Sequence, residues 1–373
     1  MRTYKLLLIL GIYLAFFSLG QALLPDTQTL KAGMGISSNL PSMAPAQVQI
    51  PLIPNPELNL YSVQVQIGTP GQNYSLLIDT LCTSTMIPHV NSECSGDGCK
   101  GIKIKYDPKN SSTSDKFGIF GGGAESWAIE AASGDLYRDA MAVGPLKLPN
   151  ASLSVMTEYE IPNESWDYDG ILGLTTYGGY DFIDDLIAQN LLLNSSFSLY
   201  LKKDPKATGS VLVLGGIDPK YAASSFVYYP VFTHDIWVWT FETASFGNIP
   251  YVGNRHAAIA TSIGHSLVNQ LFYASILAVA PHKVDCSSIS KYPNLVIKTG
   301  KTSLTFGPSY YYMPDSTGSQ CTLGIKPWNG DGKTAIIVLG NNLLKAYYIH
   351  FDYINKQMGF ATAANNNADF IEI

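Results

Sequence analysis

Residues 77–80, Leu77-Ile-Asp-Thr80, form an apolar run that ends in a small polar turn. The second half of the chain repeats this arrangement in Ala258-Ile-Ala-Thr-Ser262. Each run is followed later by a second apolar run that contains glycine, Asp169-Gly-Ile-Leu-Gly-Leu174 in the first half and Ile337-Val-Leu-Gly340 in the second. Short apolar runs bounded by turn residues are typical of buried strands. The repeat therefore indicates two related β lobes that meet at a cleft.

The composition supports a large β-rich protein. The chain has 373 residues, of which 46% are hydrophobic and 14% charged, with 23 Tyr. These values exclude an intrinsically disordered chain and a coiled coil. The alternating segment Tyr61–Ile67 and the apolar segment Val211–Leu214 are predicted to be strands, and short helices are predicted at Tyr180–Gln189 and Asn341–Tyr347. A net charge of −6 without a run of Lys or Arg argues against a nucleic-acid partner.

The first residues have the pattern of a secretory signal peptide. Arg2 and Lys5 precede the apolar run Leu7–Phe17, and Gly20-Gln21-Ala22 offers a small-residue cleavage site. The apolar run is too short for a membrane span. We therefore expect residues 1–22 to be removed, the mature chain to start near Leu23, and the protein to be secreted without a membrane span.

Cysteines and glycosylation sequons agree with an oxidising compartment. Of the five Cys, Cys94 and Cys99 bracket a turn tight enough for a local disulfide. Cys286 and Cys321 would then close a longer loop, and Cys82 is left over. Five sequons lie in the first half, at Asn73, Asn110, Asn150, Asn163 and Asn194. No metal site or cofactor is expected, because neither Cys-x-x-Cys nor His-x-x-x-His spacing occurs.

Several segments, in order along the chain, resemble the pepsin family of aspartic proteases. The resemblance runs from about residue 50 to about residue 362. The segments that carry it are Ile67-Gly-Thr-Pro-Gly-Gln72, Leu77-Ile-Asp-Thr80, Tyr106-Asp-Pro-Lys-Asn-Ser-Ser-Thr113, Tyr168-Asp-Gly-Ile-Leu-Gly-Leu174, Gly209-Ser-Val-Leu-Val-Leu-Gly-Gly216, Val338-Leu-Gly-Asn-Asn342 and Phe351-Asp352.

This resemblance implies an all-β, bilobal, pepsin-like acid protease fold with two β-barrel-like lobes, a central cleft and a few short helices. The family also has disulfides where Cys94–Cys99 and Cys286–Cys321 fall. The expected division is a short non-basic segment at residues 23–55, an N-terminal lobe at 56–226, a C-terminal lobe at 227–362 and a tail at 363–373. Residues 23–55 read as a tail or extended linker.

Peptide hydrolysis in this family needs two carboxylates that share a proton around one water. The first lobe supplies Asp79 and Thr80, as the family pattern requires. Leu81 replaces a Gly that leaves room for water and substrate, and Cys82 replaces a Ser that would hydrogen-bond the neighbouring carboxylate.

The second lobe lacks its catalytic Asp. If the end of the motif is matched, Ser262-Ile-Gly-His-Ser-Leu267 aligns with Asp-Thr-Gly-Thr-Ser-Leu, so Ser262 stands at the Asp position, with Gly264 and His265 following in the cleft. A shift of one residue puts Thr261 there instead. Neither residue is a carboxylate.

Other departures point the same way. The flap segment, residues 127–134, lacks the family's Tyr, and Met86 replaces the Trp that packs behind the flap. The segment 23–55 carries only Lys31, whereas the family's inhibitory prosegment is long and basic. We therefore predict a secreted protease homologue without catalysis whose cleft holds a peptide or other extended ligand, and we expect a monomer.

Two alternatives stay open from the sequence. In the first, a substitute acid such as Glu125, Glu130 or Asp135 acts opposite Asp79 and gives a weakly active endopeptidase. In the second, Cys82 and His265 on facing turns form an activated nucleophile pair. The simpler interpretation of that pair is a buried thiol and an imidazole that fill the slots of two small polar residues.

Overall fold

The computed structural model describes residues 46–123, 128–129, 131–163, 165–175, 181–232, 236–328 and 336–364. Strands dominate these residues and the helices are short, which confirms the predicted all-β class. The strands lie in two lobes joined by a shared sheet.

The first lobe contains an eight-stranded sheet. Its strands, in chain order, are β2 (Ile53–Asn55), β3 (Leu60–Ile67), β4 (Gln72–Asp79), β5 (Met86–Ser95), β6 (Asp115–Gly123), β7 (Ala131–Val143), β8 (Leu146–Glu160) and β9 (Gly170–Gly173). Their spatial order is β2-β3-β4-β9-β5-β8-β7-β6. The parallel pair β4 and β9 therefore lies inside the sheet, where both faces are covered and long apolar runs are favoured.

The second lobe is built from three smaller sheets. The central one has five strands in the order β13-β16-β24-β17-β23, and β16 and β24 are parallel. The strands of the three sheets are β13 (Val238–Thr240), β14 (Thr243–Phe246), β15 (Ile249–Pro250), β16 (His256–Ile259), β17 (Ser266–Asn269), β18 (Lys283–Asp285), β19 (Leu295–Thr299), β20 (Thr302–Phe306), β21 (Tyr312–Pro314), β22 (Gln320–Leu323), β23 (Ile325–Trp328) and β24 (Ile337–Leu339).

A six-stranded sheet takes strands from both halves of the chain, in the order β1-β11-β10-β25-β26-β12. Phe197 and Phe351 face each other across its β10–β25 pair and stack with ring centroids 4.4 Å apart. These strands are β1 (Val48–Pro51), β10 (Ser196–Tyr200), β11 (Val211–Leu214), β12 (Val227–Pro230), β25 (Tyr347–Asp352) and β26 (Gln357–Thr362). This aromatic contact stabilises the sheet that both halves of the chain share.

The described residues contain the α-helices α1 (Phe182–Ala188), α2 (Gln270–Leu277), α3 (Pro308–Tyr311) and α4 (Asn341–Leu344), together with short 3-10 helices. Asp181 caps α1 by accepting a hydrogen bond from the N–H of Asp184 at 2.8 Å. Asn269 caps α2 in the same way through the N–H of Phe272.

The interpretation of residues 23–55 as a tail or linker is wrong for its last part. Val48–Pro51 pairs with β11, and Ile53–Asn55 pairs with β3. Val48 and Ile50 are buried while Gln49 and Pro51 are exposed. The alternation of apolar and other residues in this segment was the sequence signal that could have predicted the strand.

Both predicted disulfides are present, Cys94–Cys99 and Cys286–Cys321. Within the described part of the chain, no helix has the length and apolar character that a bilayer crossing requires.

Candidate functional site

The two lobes present the same strand, turn and strand at the middle of the molecule. In the first lobe β4 runs parallel to β9, with Ile78 opposite Leu172, and β5 returns antiparallel, with Met86 opposite Ile171. In the second lobe β16 runs parallel to β24 and β17 returns antiparallel to it. There Ile259 lies opposite Leu339, and Leu267 lies opposite Val338.

The two turns between these strands contact each other through Thr80 and Thr261. The N–H of Thr80 donates to Oγ1 of Thr261 at 3.0 Å, and the N–H of Thr261 donates to Oγ1 of Thr80 at 3.2 Å. Each hydroxyl in turn donates to a carbonyl of the other lobe, Thr80 to Ile259 at 2.8 Å and Thr261 to Ile78 at 2.9 Å. The two threonines are therefore equivalent under the pseudo-twofold symmetry.

This equivalence identifies the residue that corresponds to Asp79. Thr80 and Thr261 are 181 positions apart in the chain. The residue before Thr80 is Asp79 and the residue before Thr261 is Ala260, both of which are 0% exposed. The position that corresponds to Asp79 is thus Ala260. It lies two residues before Ser262, the first choice from the sequence, and one residue before Thr261, the second choice.

The same register explains why the motif match failed. Ser262 corresponds to Leu81, so it follows the threonine instead of preceding it. A match on the end of the motif, Gly-x-Ser-Leu, forced Ser262 into the Asp position. The better signal was the start of the repeat, where Ile78-Asp-Thr80 aligns with Ile259-Ala-Thr261 without a gap.

Asp79 is buried at the end of β4, where its position is fixed by local hydrogen bonds. Its Oδ1 accepts from the N–H of Leu81 at 2.8 Å. Its backbone carbonyl accepts from the N–H of Leu174 at 2.8 Å. The carboxylate is therefore oriented by the turn that follows it.

Leu81 and Ser262 are the residues that follow the paired threonines. Leu81 is half-buried and packs against a cluster of the second lobe that contains Ala260. The other members of this cluster are Val238, Ala258, Ile263, Leu267, Trp328, Ile336 and Val338. Ser262 is 6% exposed, and its Oγ has no hydrogen-bond partner among the described residues. Ala260 thus belongs to an apolar cluster to which the first lobe adds Leu81.

Cys82 and His265 lie in different surroundings. Cys82 is 0% exposed, belongs to an apolar cluster of the first lobe, and donates through Sγ to the carbonyl of Ser84 at 3.3 Å. Its counterpart across the symmetry is Ile263, another buried apolar side chain. His265 is half-buried, and burial together with the charge of Lys326 lowers its pKa to about 4. The packing of Cys82 favours the simpler interpretation, a small side chain that fills the core.

Gly264 is required by a close approach of two chain segments. A Cβ at this position would lie 1.9 Å from the carbonyl oxygen of Leu58. The carbonyl of Gly264 accepts a hydrogen bond from Nδ2 of Asn59 at 2.6 Å. Asn341 completes the contact, since its Nδ2 donates to the carbonyls of Asn59 and Thr261 at 3.0 and 2.8 Å. Sequence reasoning quoted Asn341 only as part of longer segments and missed Asn59, because a single amide has no distinctive spacing.

The paired threonine turns, with β9 and β24 behind them, agree with the comparisons with known proteins. The family model described as Eukaryotic aspartyl protease matches residues 60–363. This chain belongs to the eukaryotic aspartyl protease family. It is 28% identical to pepsin A of Gallus gallus over 321 residues, which are 81% of this chain and 83% of that protein.

Two further relatives cover a similar part of this aspartyl protease family member. Chymosin of Camelus dromedarius is 27% identical over 325 residues, 81% of each chain. Cathepsin E of Rattus norvegicus is 27% identical over 335 residues, 81% of this chain and 80% of that protein. The pepsin-like fold of this family has a peptide-binding cleft between its lobes.

The structure describes only one of the three acids that were considered as substitutes for the second Asp. Glu125 and Glu130 lie outside the described residues. Asp135 lies on β7 opposite Ile119 and forms an ion pair with Lys116, with 2.8 Å between Nζ and Oδ1.

The five sequon asparagines lie at or near the surface of the described chain. Asn73, Asn110, Asn163 and Asn194 are exposed, and Asn150 is half-buried.

Proposed function

We propose that this chain is a secreted, non-catalytic member of the aspartyl protease family that keeps its cleft for a peptide or other extended ligand. The observation that carries the proposal is the exchange of hydrogen bonds between Thr80 and Thr261, which makes Ala260 the counterpart of Asp79. A methyl group then stands where the reaction needs a second carboxylate.

The chemistry of the reaction explains why one carboxylate is insufficient. Two carboxyl groups close together cannot both ionise, so one acts as the base and the other donates a proton. Ala260 has no group that can do either, and the hydroxyl of Ser262 does not ionise at acidic or neutral pH. Loss of one member of a cooperating catalytic set commonly costs several orders of magnitude in rate.

Leu81 supports the proposal independently. The family has Gly at this position, which leaves space for water and for the substrate backbone. Here the side chain packs toward the apolar cluster that contains Ala260. A nucleophilic water would lose both its second acceptor and part of its space.

Several features support secretion and glycosylation. The first residues have the signal-peptide pattern, the two disulfides suit an oxidising compartment, and the sequon asparagines are accessible or nearly so. A monomer without cofactor or metal is part of the same proposal, as is the division into residues 23–55, 56–226, 227–362 and 363–373, except that Val48–Pro51 and Ile53–Asn55 join the sheets.

The test is digestion of an unfolded protein by the purified mature chain from about pH 2 to 7, with and without an aspartic protease inhibitor. Circular dichroism must show that the chain stays folded at each pH used. We expect no inhibitor-sensitive cleavage. Inhibitor-sensitive cleavage that is lost in Asp79→Ala would overturn the proposal and favour a weakly active endopeptidase with a substitute acid.

A further inference from the structure

A small cavity with a volume of about 60 Å³ lies apart from the paired threonine turns. About 10 to 15 Å³ of such volume holds one water, so the cavity has room for roughly four to six heavy atoms. Its lining residues are Pro56, Asn59, Lys203, Pro205, Ser309, Tyr310, Tyr312, Met313, Pro314, Asn342 and Lys345.

The charged residues among the described lining of this cavity are two lysines. Lys203 and Lys345 contribute ammonium groups, and none of the described lining residues is an Asp or Glu. Asp204, which is exposed, is the carboxylate whose charge acts on Lys345 from nearby. The neutral polar groups at the wall are amides and hydroxyls, and of these the Asn342 amide and the Tyr312 hydroxyl already donate to the carbonyls of Gly324 and Pro281.

Lys345 is held in place inside the protein. It is 5% exposed, its Nζ donates to Oδ1 of Asn59, and the ring of Tyr61 lies 6.0 Å from its Nζ. Burial lowers its pKa to about 8, so the amine is mostly protonated at neutral and acidic pH. A buried ammonium gains more from an anion than an exposed one does, because the surrounding dielectric is low.

Lys203 adds a second, more accessible charge. It is half-buried, and its Nζ lies 4.6 Å from the centroid of the Tyr310 ring, another lining residue. This contact keeps the side chain at the cavity wall. Two cationic groups line this partly open cavity, and no described lining residue carries a carboxylate, so the site favours a negatively charged ligand.

We propose that this cavity binds a small oxoanion, either a carboxylate or a phosphate group, with Lys345 and Lys203 supplying the positive charge. This proposal of an anion site does not depend on Asp79 or on the loss of catalysis. The size of the cavity suits the three heavy atoms of a carboxylate or the five of a phosphate.

Occupancy of this site would also reach the paired threonine turns. Asn59, which holds Lys345, donates through Nδ2 to the carbonyl of Gly264 at 2.6 Å. The carbonyl of Asn59 accepts from Nδ2 of Asn341, which also donates to the carbonyl of Thr261. An anion that fixes Lys345 and Asn59 should therefore stabilise the folded chain.

The test is a titration of the mature, disulfide-bonded chain at pH 6 and constant ionic strength. Inorganic phosphate, formate and acetate are added separately, and the melting temperature and heat of binding are followed. Lys203→Gln and Lys345→Met remove the two charges. Lys202→Gln is the matched control, because Lys202 is the neighbouring lysine and does not line the cavity.

We expect saturable stabilisation by at least one of these anions, with apparent affinity at least tenfold weaker in Lys203→Gln and Lys345→Met and unchanged in Lys202→Gln. A response to phosphate alone or to the carboxylates alone would support the proposal and identify the source. If Lys345→Met does not fold, Lys203→Gln decides the question. Stabilisation that does not saturate, or that is equal in Lys203→Gln and Lys202→Gln, would overturn it.

Discussion

Thr80 and Thr261 each donate their backbone N–H to the other's hydroxyl oxygen, so the centre of the molecule is held by one side chain from each lobe. Both residues are 0% exposed. This exchange is retained although the residue before Thr261 is Ala260. The contact between the lobes therefore does not require a carboxylate before Thr261.

Thr261→Val should destabilise the chain strongly. The change removes the hydroxyl while it keeps the shape, and it leaves the buried N–H of Thr80 and the carbonyl of Ile78 without this partner. We expect a loss of about 2 to 4 kcal/mol in the free energy of unfolding, measured by urea denaturation.

Thr261→Ser is the matched control because it keeps the hydroxyl and removes only a methyl group. It should cost about 1 kcal/mol. If the valine variant is no less stable than the serine variant, the hydrogen-bond exchange does not hold the lobes together.

Leu81 and Ala260 should be energetically coupled. Ala260→Asp places a carboxylate at a fully buried, apolar position and should cost about 3 to 5 kcal/mol at neutral pH. In the Leu81→Gly background water can reach this position, so the penalty should shrink. A double-mutant cycle by chemical denaturation measures the coupling, which we expect to be about 0.5 to 3 kcal/mol. Strict additivity would show that Leu81 does not close the space around Ala260.

The thiol of Cys82 should be inaccessible in the folded protein. It is 0% exposed, lies in an apolar cluster, and is outside both disulfides. An aromatic disulfide reagent should titrate no thiol in the native chain and about one per chain in denaturant. Rapid modification of the native chain would instead favour the activated pair with His265.

His265 should make the protein less stable in acid. Its folded pKa is about 4, below the 6.5 of an unperturbed histidine, so the unfolded chain binds this proton more readily. Its contribution to stability is complete above pH 6.5 and is lost as the pH falls toward 4.

The comparison is between wild type and His265→Gln, unfolded by urea at several pH values between 4 and 7. The variant should lose less stability across this range. His282→Gln serves as control, because His282 is exposed. Equal pH profiles for wild type and His265→Gln would contradict the burial of a neutral imidazole.

The sequence predicts most of the fold because the signals are local. Val211–Leu214 forms β11 with the predicted bounds, and Tyr61–Ile67 lies within β3. The helix predicted at Tyr180–Gln189 is present as α1, while the one predicted at Asn341–Tyr347 ends at Leu344 because Tyr347 starts β25 in the shared sheet. There tertiary pairing overrides local preference.

The centre of the site was less predictable because it depends on register between distant strands. Asp79 and Thr80 are placed by their own motif, but the choice of Ala260 over Thr261 or Ser262 is decided by the partners of Thr261 in the other lobe. An alanine carries no chemical signal of its own. The cavity around Lys345 likewise could not be predicted from the sequence, because folding brings Asn59 and Lys345 together from opposite ends of the chain.

The most direct test of the central claim is a cleavage assay with the mature chain in excess over a diverse peptide mixture at about pH 3.5 to 5. Products are identified by mass spectrometry after prolonged incubation, so that even one cleavage per chain is detected. The absence of a carboxylate at position 260 predicts that wild type and Asp79→Ala give the same product pattern as a blank. Peptide products that form with wild type, are suppressed by an aspartic protease inhibitor and are absent with Asp79→Ala would contradict the account.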